Sequence, residues 1–139
     1  MDPFTPILFL SIGAIAVVIG SGRSYGFYGF TTSIAIVGAI AATLLLGLRI
    51  PVTVVLSPWQ TQSVFLQPLS LTVDMVSWFL ALLLVMTIMC LSSTSLSEHL
   101  MISPQERSVC LMVVALALLA LFSDNLITLV LALTALDVF

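Results

Sequence analysis

The stretch at residues 75–96, MVSWFLALLLVMTIMCLSSTSL, decides the fold because it is mostly apolar and contains no charged residue. At about 1.5 Å per residue, a helix of this length covers the roughly 30 Å hydrocarbon core of a bilayer. Similar runs lie at residues 6–20, 30–48, 104–122 and from 125 to 139. The sequence therefore predicts an all-α, polytopic membrane protein with about five transmembrane helices, the fifth cut short.

The composition of the whole chain agrees with a membrane protein. Hydrophobic residues make up 61% of it and charged residues 6%, with a mean hydropathy of +1.32. A soluble domain is about 25% charged, so this chain has too few charges for a water-facing surface. Lysine is absent, which excludes nucleic-acid binding through a basic patch. The expected partners are the lipid bilayer and other membrane subunits, with no soluble small-molecule substrate.

The few arginines predict an orientation. Arg23 and Arg107 fall in loops on one side of the membrane and Arg49 on the other, so the positive-inside rule places the N-terminus outside. The first apolar run has no basic leader, which favours a retained helix over a secretory signal. The expected location is a bacterial inner membrane or its organellar equivalent.

The segment between the second and third helices predicts a small extramembrane hairpin. Residues 52–56 and 69–73 are rich in β-branched side chains, and the second run alternates apolar with hydroxyl residues. The intervening Ser57-Pro58-Trp59-Gln60 is typical of a turn. Trp59 is then expected at the level of the lipid headgroups.

Four polar residues are predicted to cap helices. Ser103 and Glu106 flank Pro104 with the spacing of a capping box at the start of the fourth helix. Asp74 and Asp124 precede the third and fifth helices, where a carboxylate can accept hydrogen bonds from exposed amides.

Small residues on the second helix predict close helix packing. Ala35, Gly38, Ala39 and Ala42 recur at three- and four-residue spacings, which leaves a smooth stripe for another helix backbone.

Cys90 and Cys110 fall inside apolar runs and are expected to be buried core residues. Neither a metal site nor a cofactor is predicted, because the two cysteines and the single histidine form no ligand pattern.

Asp137 is the one ionisable residue predicted deep in the membrane, with Thr134 three residues earlier on the same helix face. Such a pair fits a proton-exchanging carboxylate beside a hydroxyl. Two other interpretations stay open. Asp137 could be a structural carboxylate bonded to a neighbouring helix, or a wet residue beside the end of the sequence.

From residue 65 onward, the chain resembles the N-terminal part of the antiporter-like membrane subunits of complex I, the proton-translocating NADH:quinone oxidoreductase, and of multisubunit Na+/H+ antiporters. The resemblance rests on residues 71–77, LTVDMVS, on residues 122–129, FSDNLITL, and on the order of two helices, a hairpin and three helices. It implies that residues 1–139 form one membrane domain, the N-terminal part of a larger antiporter-like fold. It also implies a part in proton or cation translocation.

The chain departs from the family pattern at the proton site. The family carries a glutamate on its fifth helix, about nine or ten residues after the Asp-Asn-Leu phrase begins. Leu133 and Thr134 hold those two positions here. Asp137, one turn later, is the best candidate for a replacement. The leading interpretation is a membrane subunit of an energy-converting complex that contributes to ion movement. The alternatives are a non-catalytic assembly subunit of a respiratory or photosynthetic complex, and a small self-sufficient carrier or channel.

Overall fold

The computed structural model describes residues 2–20, 25–55, 70–97, 103–124 and 126–138. Within these ranges the chain is all-helical apart from one small sheet, as the apolar runs predicted. The elements, in chain order, are α1 (Phe4–Ile19), α2 (Tyr25–Gly47), β1 (Val52–Val55), β2 (Ser70–Val73), α3 (Met75–Ser97), α4 (Pro104–Leu121) and α5 (Leu126–Val138).

Four helices form a ring around an apolar core. α1 packs against α2 and α4, α2 also packs against α3, and α3 meets α4 only loosely to close the ring. α5 lies outside the ring and packs on α4. The centre of the core is filled by fully buried aliphatic and aromatic side chains, among them Leu10, Ile36, Val85, Leu118 and Phe122.

The small-residue stripe of α2 lets α1 approach closely. A Cβ added at Gly13 of α1 would collide with the Cβ of Ala35, and one added at Gly38 would lie 2.7 Å from the Phe9 ring. Ala39 and Ala42 are likewise buried. Here the helix that packs against Ala35 and Gly38 is α1 of the same chain.

The predicted hairpin is present as an antiparallel pair of strands. Val52 pairs with Val73 and Val55 with Ser70. The turn proposed at residues 57–60, including Trp59, lies outside the described residues. β2 also bonds to the segment that joins α4 to α5: the Thr72 N–H donates to the Phe122 carbonyl at 2.9 Å. The hairpin is therefore held against the segment between α4 and α5.

Among the described residues, three helices are long and apolar enough to cross a membrane, at Phe27–Gly47, Met75–Ser93 and Pro104–Leu121. α1 and α5 are apolar but shorter. Many large apolar side chains point away from the ring, particularly on α3 and α5. Exposed apolar surfaces of this extent are typical of sites that contact membrane or another protein.

Candidate functional site

α5 carries the predicted proton-transfer residues on its outer side. The side chains of Asp137 and Thr134 are both exposed in this chain. The Thr134 hydroxyl donates to the carbonyl of Leu131 on its own helix at 2.9 Å. The two residues therefore lie on one helix, as predicted. The Thr134 hydroxyl hydrogen-bonds within that helix.

Asp137 lies in the last turn of α5. α5 begins at Leu126, next to the hairpin, and Asp137 lies roughly 17 Å further along the axis at 1.5 Å per residue. Most of the other exposed side chains on α5 are apolar, including Leu129, Val130 and Leu133. If the hairpin end lies at the membrane surface, the carboxylate lies near the middle of a hydrocarbon core about 30 Å thick.

Ser103 and Glu106 form the capping box at the start of α4. The Glu106 N–H donates to the Ser103 hydroxyl at 3.2 Å, and the Ser103 N–H donates to the Glu106 carboxylate at 2.9 Å. Pro104 occupies the first helical turn, where its missing N–H costs no hydrogen bond. Ser103 and Pro104 begin the helix, and the hydrogen bond from the Ser103 N–H holds the Glu106 carboxylate beside the first turn.

Asp74 caps α3 through Ser77. The Ser77 N–H donates to the Asp74 carboxylate at 2.8 Å, and the Asp74 N–H donates to the Ser77 hydroxyl at 3.0 Å. The Ser77 side chain and, next, the Ser77 backbone amide hold the pKa of Asp74 below its ordinary value. A carboxylate stabilised by donors at a helix N-terminus stays ionised and holds the helix end in place.

Asp124 makes contacts that the sequence did not predict. Its carboxylate accepts hydrogen bonds from the hydroxyls of Ser70, at 3.2 Å, and Thr72, at 3.1 Å, both on β2. The Asp124 N–H donates to the Ser70 carbonyl at 3.2 Å. Asp124 therefore joins the α4–α5 connection to the hairpin, beyond the capping role expected from its place before α5.

Arg107 lies inside the protein rather than in a loop. The sequence placed it at the turn before the fourth helix, but it belongs to the beginning of α4 and is only 7% exposed. It lines a cavity between α2, α3 and α4, together with Thr32 and Glu106. Sequence reasoning missed this cavity, because α4 is apolar on most of its surface and shows no polar face that would mark the interior.

The two cysteines also differ from expectation. Cys90 on α3 and Cys110 on α4 are both exposed free thiols, which corrects their assignment to the buried core. On a chain whose outer face is apolar, an exposed cysteine needs no partner, since its thiol behaves as a small hydrophobic group.

Chemical groups for catalysis are sparse. Within the described residues, no group of three His, Cys, Asp or Glu side chains is placed to hold a metal ion. Asp137 stands apart from Asp74 and Asp124, which both lie at the hairpin end. The arrangement offers a carboxylate on an uncovered helix face and a cavity with charged residues at the opposite end of the ring from the hairpin.

Comparison of the chain with models of protein families, with curated proteins and with solved structures finds no match.

Proposed function

We propose that the chain is a membrane subunit of an energy-converting complex of the complex I and antiporter type, and that Asp137 exchanges protons at the interface with the element covering α5. The observation that carries this proposal is the exposed position of Asp137, roughly 17 Å along an apolar helix. An ionised carboxylate facing lipid at this depth is costly, so such residues face protein or a water-filled path. A covering subunit supplies that environment.

The topology proposed for the chain follows from the same placement. α2, α3 and α4 cross the bilayer, α1 crosses with its flanking residues, and α5 enters from the hairpin side. The N-terminus lies on the outer side with the hairpin, which places Arg23 and Arg107 on the cytoplasmic side and only Arg49 on the outer side. The order of helices and hairpin supports the resemblance to antiporter-like subunits.

The test compares Asp137→Asn with Asp137→Glu in membranes of the source cells. Vesicles containing the energised complex are monitored with a dye that reports the transmembrane pH difference. Asn has nearly the size of Asp but carries no exchangeable carboxyl proton. We therefore expect Asp137→Asn to lower proton translocation about tenfold or more, and Asp137→Glu to retain a substantial part of it.

Thr134→Val is the matched control for this experiment. The Thr134 hydroxyl bonds its own helix, so its removal leaves the environment of Asp137 nearly intact, and translocation should continue. Native-gel electrophoresis of the tagged chain checks assembly in parallel. Normal translocation by fully assembled Asp137→Asn would contradict the proton-transfer role.

A second candidate function is a structural subunit without a catalytic part. It is favoured by Leu133 and Thr134, which hold the places of the family's glutamate. In that case Asp137 hydrogen-bonds to a neighbouring helix and joins the subunit to its complex. Asp137→Leu should then remove the chain from the native-gel band, whereas Asp137→Asn, which can still hydrogen-bond, should keep it there with unchanged translocation.

A further inference from the structure

A cavity of about 370 Å³ lies inside the ring, at the end where α4 begins. α2, α3 and α4 each contribute to its wall. The lining includes Thr32, Ile36, Ile88, Leu91, Glu106 and Arg107. The lining thus combines aliphatic side chains with the hydroxyls of Thr32 and Ser92 and with two opposite charges.

This inner cavity adjoins a groove on the outer surface, with which it shares four lining residues. The groove, of about 610 Å³, runs between α3 and α4, the two helices that close the ring most loosely. Glu106 and Cys110 line both the groove and the inner cavity. Only 17% of the α3 span is buried within the chain, against 44% of the α2 span, so the groove opens on the membrane-facing side.

Thr32 gives the cavity an unmet polar group. Its side chain is 5% exposed, and its hydroxyl oxygen has no hydrogen-bond partner within the described part of the chain. Buried hydroxyls are normally hydrogen-bonded, because desolvation without a partner is unfavourable. A ligand that brings a polar atom to Thr32 would remove this cost.

The two charged residues define what that ligand carries. Arg107 is 7% exposed and lines the cavity, and guanidinium groups bind phosphate oxygens well. The neighbouring Glu106 lines the same cavity, with its carboxylate held at the first turn of α4 by the Ser103 N–H. A head group that matches both carries a phosphate and an ammonium group.

We propose that the cavity binds a zwitterionic phospholipid, with its phosphate at Arg107 and Thr32, its ammonium group at Glu106, and an acyl chain in the α3–α4 groove. The groove supports a lipid as the occupant, because its wall along α3 and α4 is mostly aliphatic while most of its polar residues lie at the start of α4. The start of a membrane-crossing helix also lies at the level of the head groups. No residue of α5 lines the cavity or the groove, and the proposal does not depend on proton transfer by Asp137.

Native mass spectrometry of the purified chain in detergent micelles tests the proposal directly. Phosphatidylethanolamine and phosphatidylglycerol with identical acyl chains are added in separate titrations. We expect one adduct that forms with phosphatidylethanolamine at several-fold lower concentration than with phosphatidylglycerol. Equal binding of the two lipids would overturn the head-group assignment.

Glu106→Gln isolates the contribution of charge to this preference. Glutamine can also close a capping box, so the start of α4 is retained while the negative charge is lost. The variant should bind the two lipids with nearly equal affinity. An unchanged preference for phosphatidylethanolamine would contradict an ammonium site at Glu106.

Thr32→Val tests the phosphate end. Because the Thr32 hydroxyl has no partner among the described residues, its removal should leave the thermal stability of the lipid-free chain unchanged or raise it. Lipid affinity should fall about fivefold to tenfold. Thr43→Val is the matched control: Thr43 is also buried on α2, but its hydroxyl donates to the Ala39 carbonyl at 2.8 Å and lies outside the cavity. Equal lipid affinity in both variants would overturn the proposal.

The two native cysteines provide a readout that needs no substitution. Both thiols are exposed, but Cys110 lines the groove and the cavity, whereas Cys90 lines neither. Bound phosphatidylethanolamine should slow modification of Cys110 by a detergent-soluble maleimide about tenfold or more and leave Cys90 unaffected. Equal rates at Cys110 with and without the lipid would show that the groove is not the lipid site.

Discussion

The Thr72 hydroxyl on β2 donates a hydrogen bond to the Asp124 carboxylate at 3.1 Å, although 52 residues of sequence separate them. Ser70 donates to the other carboxylate oxygen, and the Asp124 N–H returns a bond to the Ser70 carbonyl. These contacts fasten the hairpin to the α4–α5 connection. Together with the bond from the Thr72 N–H to the Phe122 carbonyl, they join the only sheet in the described residues to the segment between α4 and α5.

Replacing Asp124 should loosen this junction. Asp124→Leu leaves two hydroxyls without their acceptor and should lower the free energy of unfolding by about 1–3 kcal/mol. Asp124→Asn keeps one acceptor oxygen and should lose roughly half as much. Thermal unfolding of the purified chain in detergent, followed by tryptophan fluorescence, measures both. Equal stability of wild type and Asp124→Leu would show that the hairpin does not depend on this contact.

Two glycine-to-alanine substitutions should differ in sign. Both remove a glycine from a helix interior, which favours the helix by about 1 kcal/mol. At Gly13 the new methyl group meets the Cβ of Ala35, which cannot move without its backbone, so overpacking of about 1–3 kcal/mol should prevail. At Gly38 the neighbour is the ring of Phe9, which is 42% exposed and free to move outward.

We therefore expect Gly13→Ala to lower the midpoint of thermal unfolding and Gly38→Ala to leave it unchanged or raise it. A common shift in both variants would mean that helix propensity, rather than the contact between α1 and α2, governs this face.

The stabilisation of the N-terminal end of α3 by Asp74 should be lost in acid. The pKa of Asp74 in the folded chain is lowered, chiefly by the Ser77 side chain. The stabilisation is complete above the ordinary aspartate pKa of about 3.9 and is lost as the pH falls through the lower, folded value. Ser77→Ala should move the pKa of Asp74 upward toward that ordinary value. Carboxyl carbon chemical shifts in an NMR titration report it, and Ser33→Ala on α2 should cause no change.

Trp78 should contribute to the contact between α2 and α3. Its indole N–H donates to the Thr43 carbonyl at 2.7 Å, and the ring lies so close to Gly47 that an added Cβ would approach it to 2.6 Å. Trp78→Phe removes the donor and part of the ring, at a cost of about 1–2 kcal/mol. Chemical denaturation followed by circular dichroism measures this loss. An unchanged midpoint would exclude the indole from the α2–α3 contact.

The elements of the fold were predictable because they depend on local patterns. Apolar runs marked the helices, β-branched runs marked the hairpin strands, and Ser103 with Glu106 marked the start of α4. The arrangement of those elements was not predictable in the same way. α3 and α4 are apolar around most of their circumference, so no pattern indicates which face turns inward. For this reason the burial of Arg107 and the exposure of Cys90 and Cys110 emerge only from the three-dimensional structure.

The residues of the candidate site were likewise predictable only where a local sequence pattern marks them. The sequence indicates Asp137 because a charge within an apolar run is visible locally, and it places Thr134 on the same face. The cavity depends on Thr32 and Arg107, which lie far apart in the sequence and meet only when the ring closes. The partners of Asp124 are equally remote.

The closed ring also has a consequence for the order of events during synthesis. Ser108 on α4 donates to the Ala14 carbonyl on α1 at 3.1 Å, across 94 residues. α1 and α2 can pair through Gly13 and Ala35 as soon as both have been made, because that contact is local. The contact between α1 and α4 must wait until most of the chain has left the ribosome. Assembly should therefore proceed from an early two-helix unit that stays open to lipid on the side later occupied by α4.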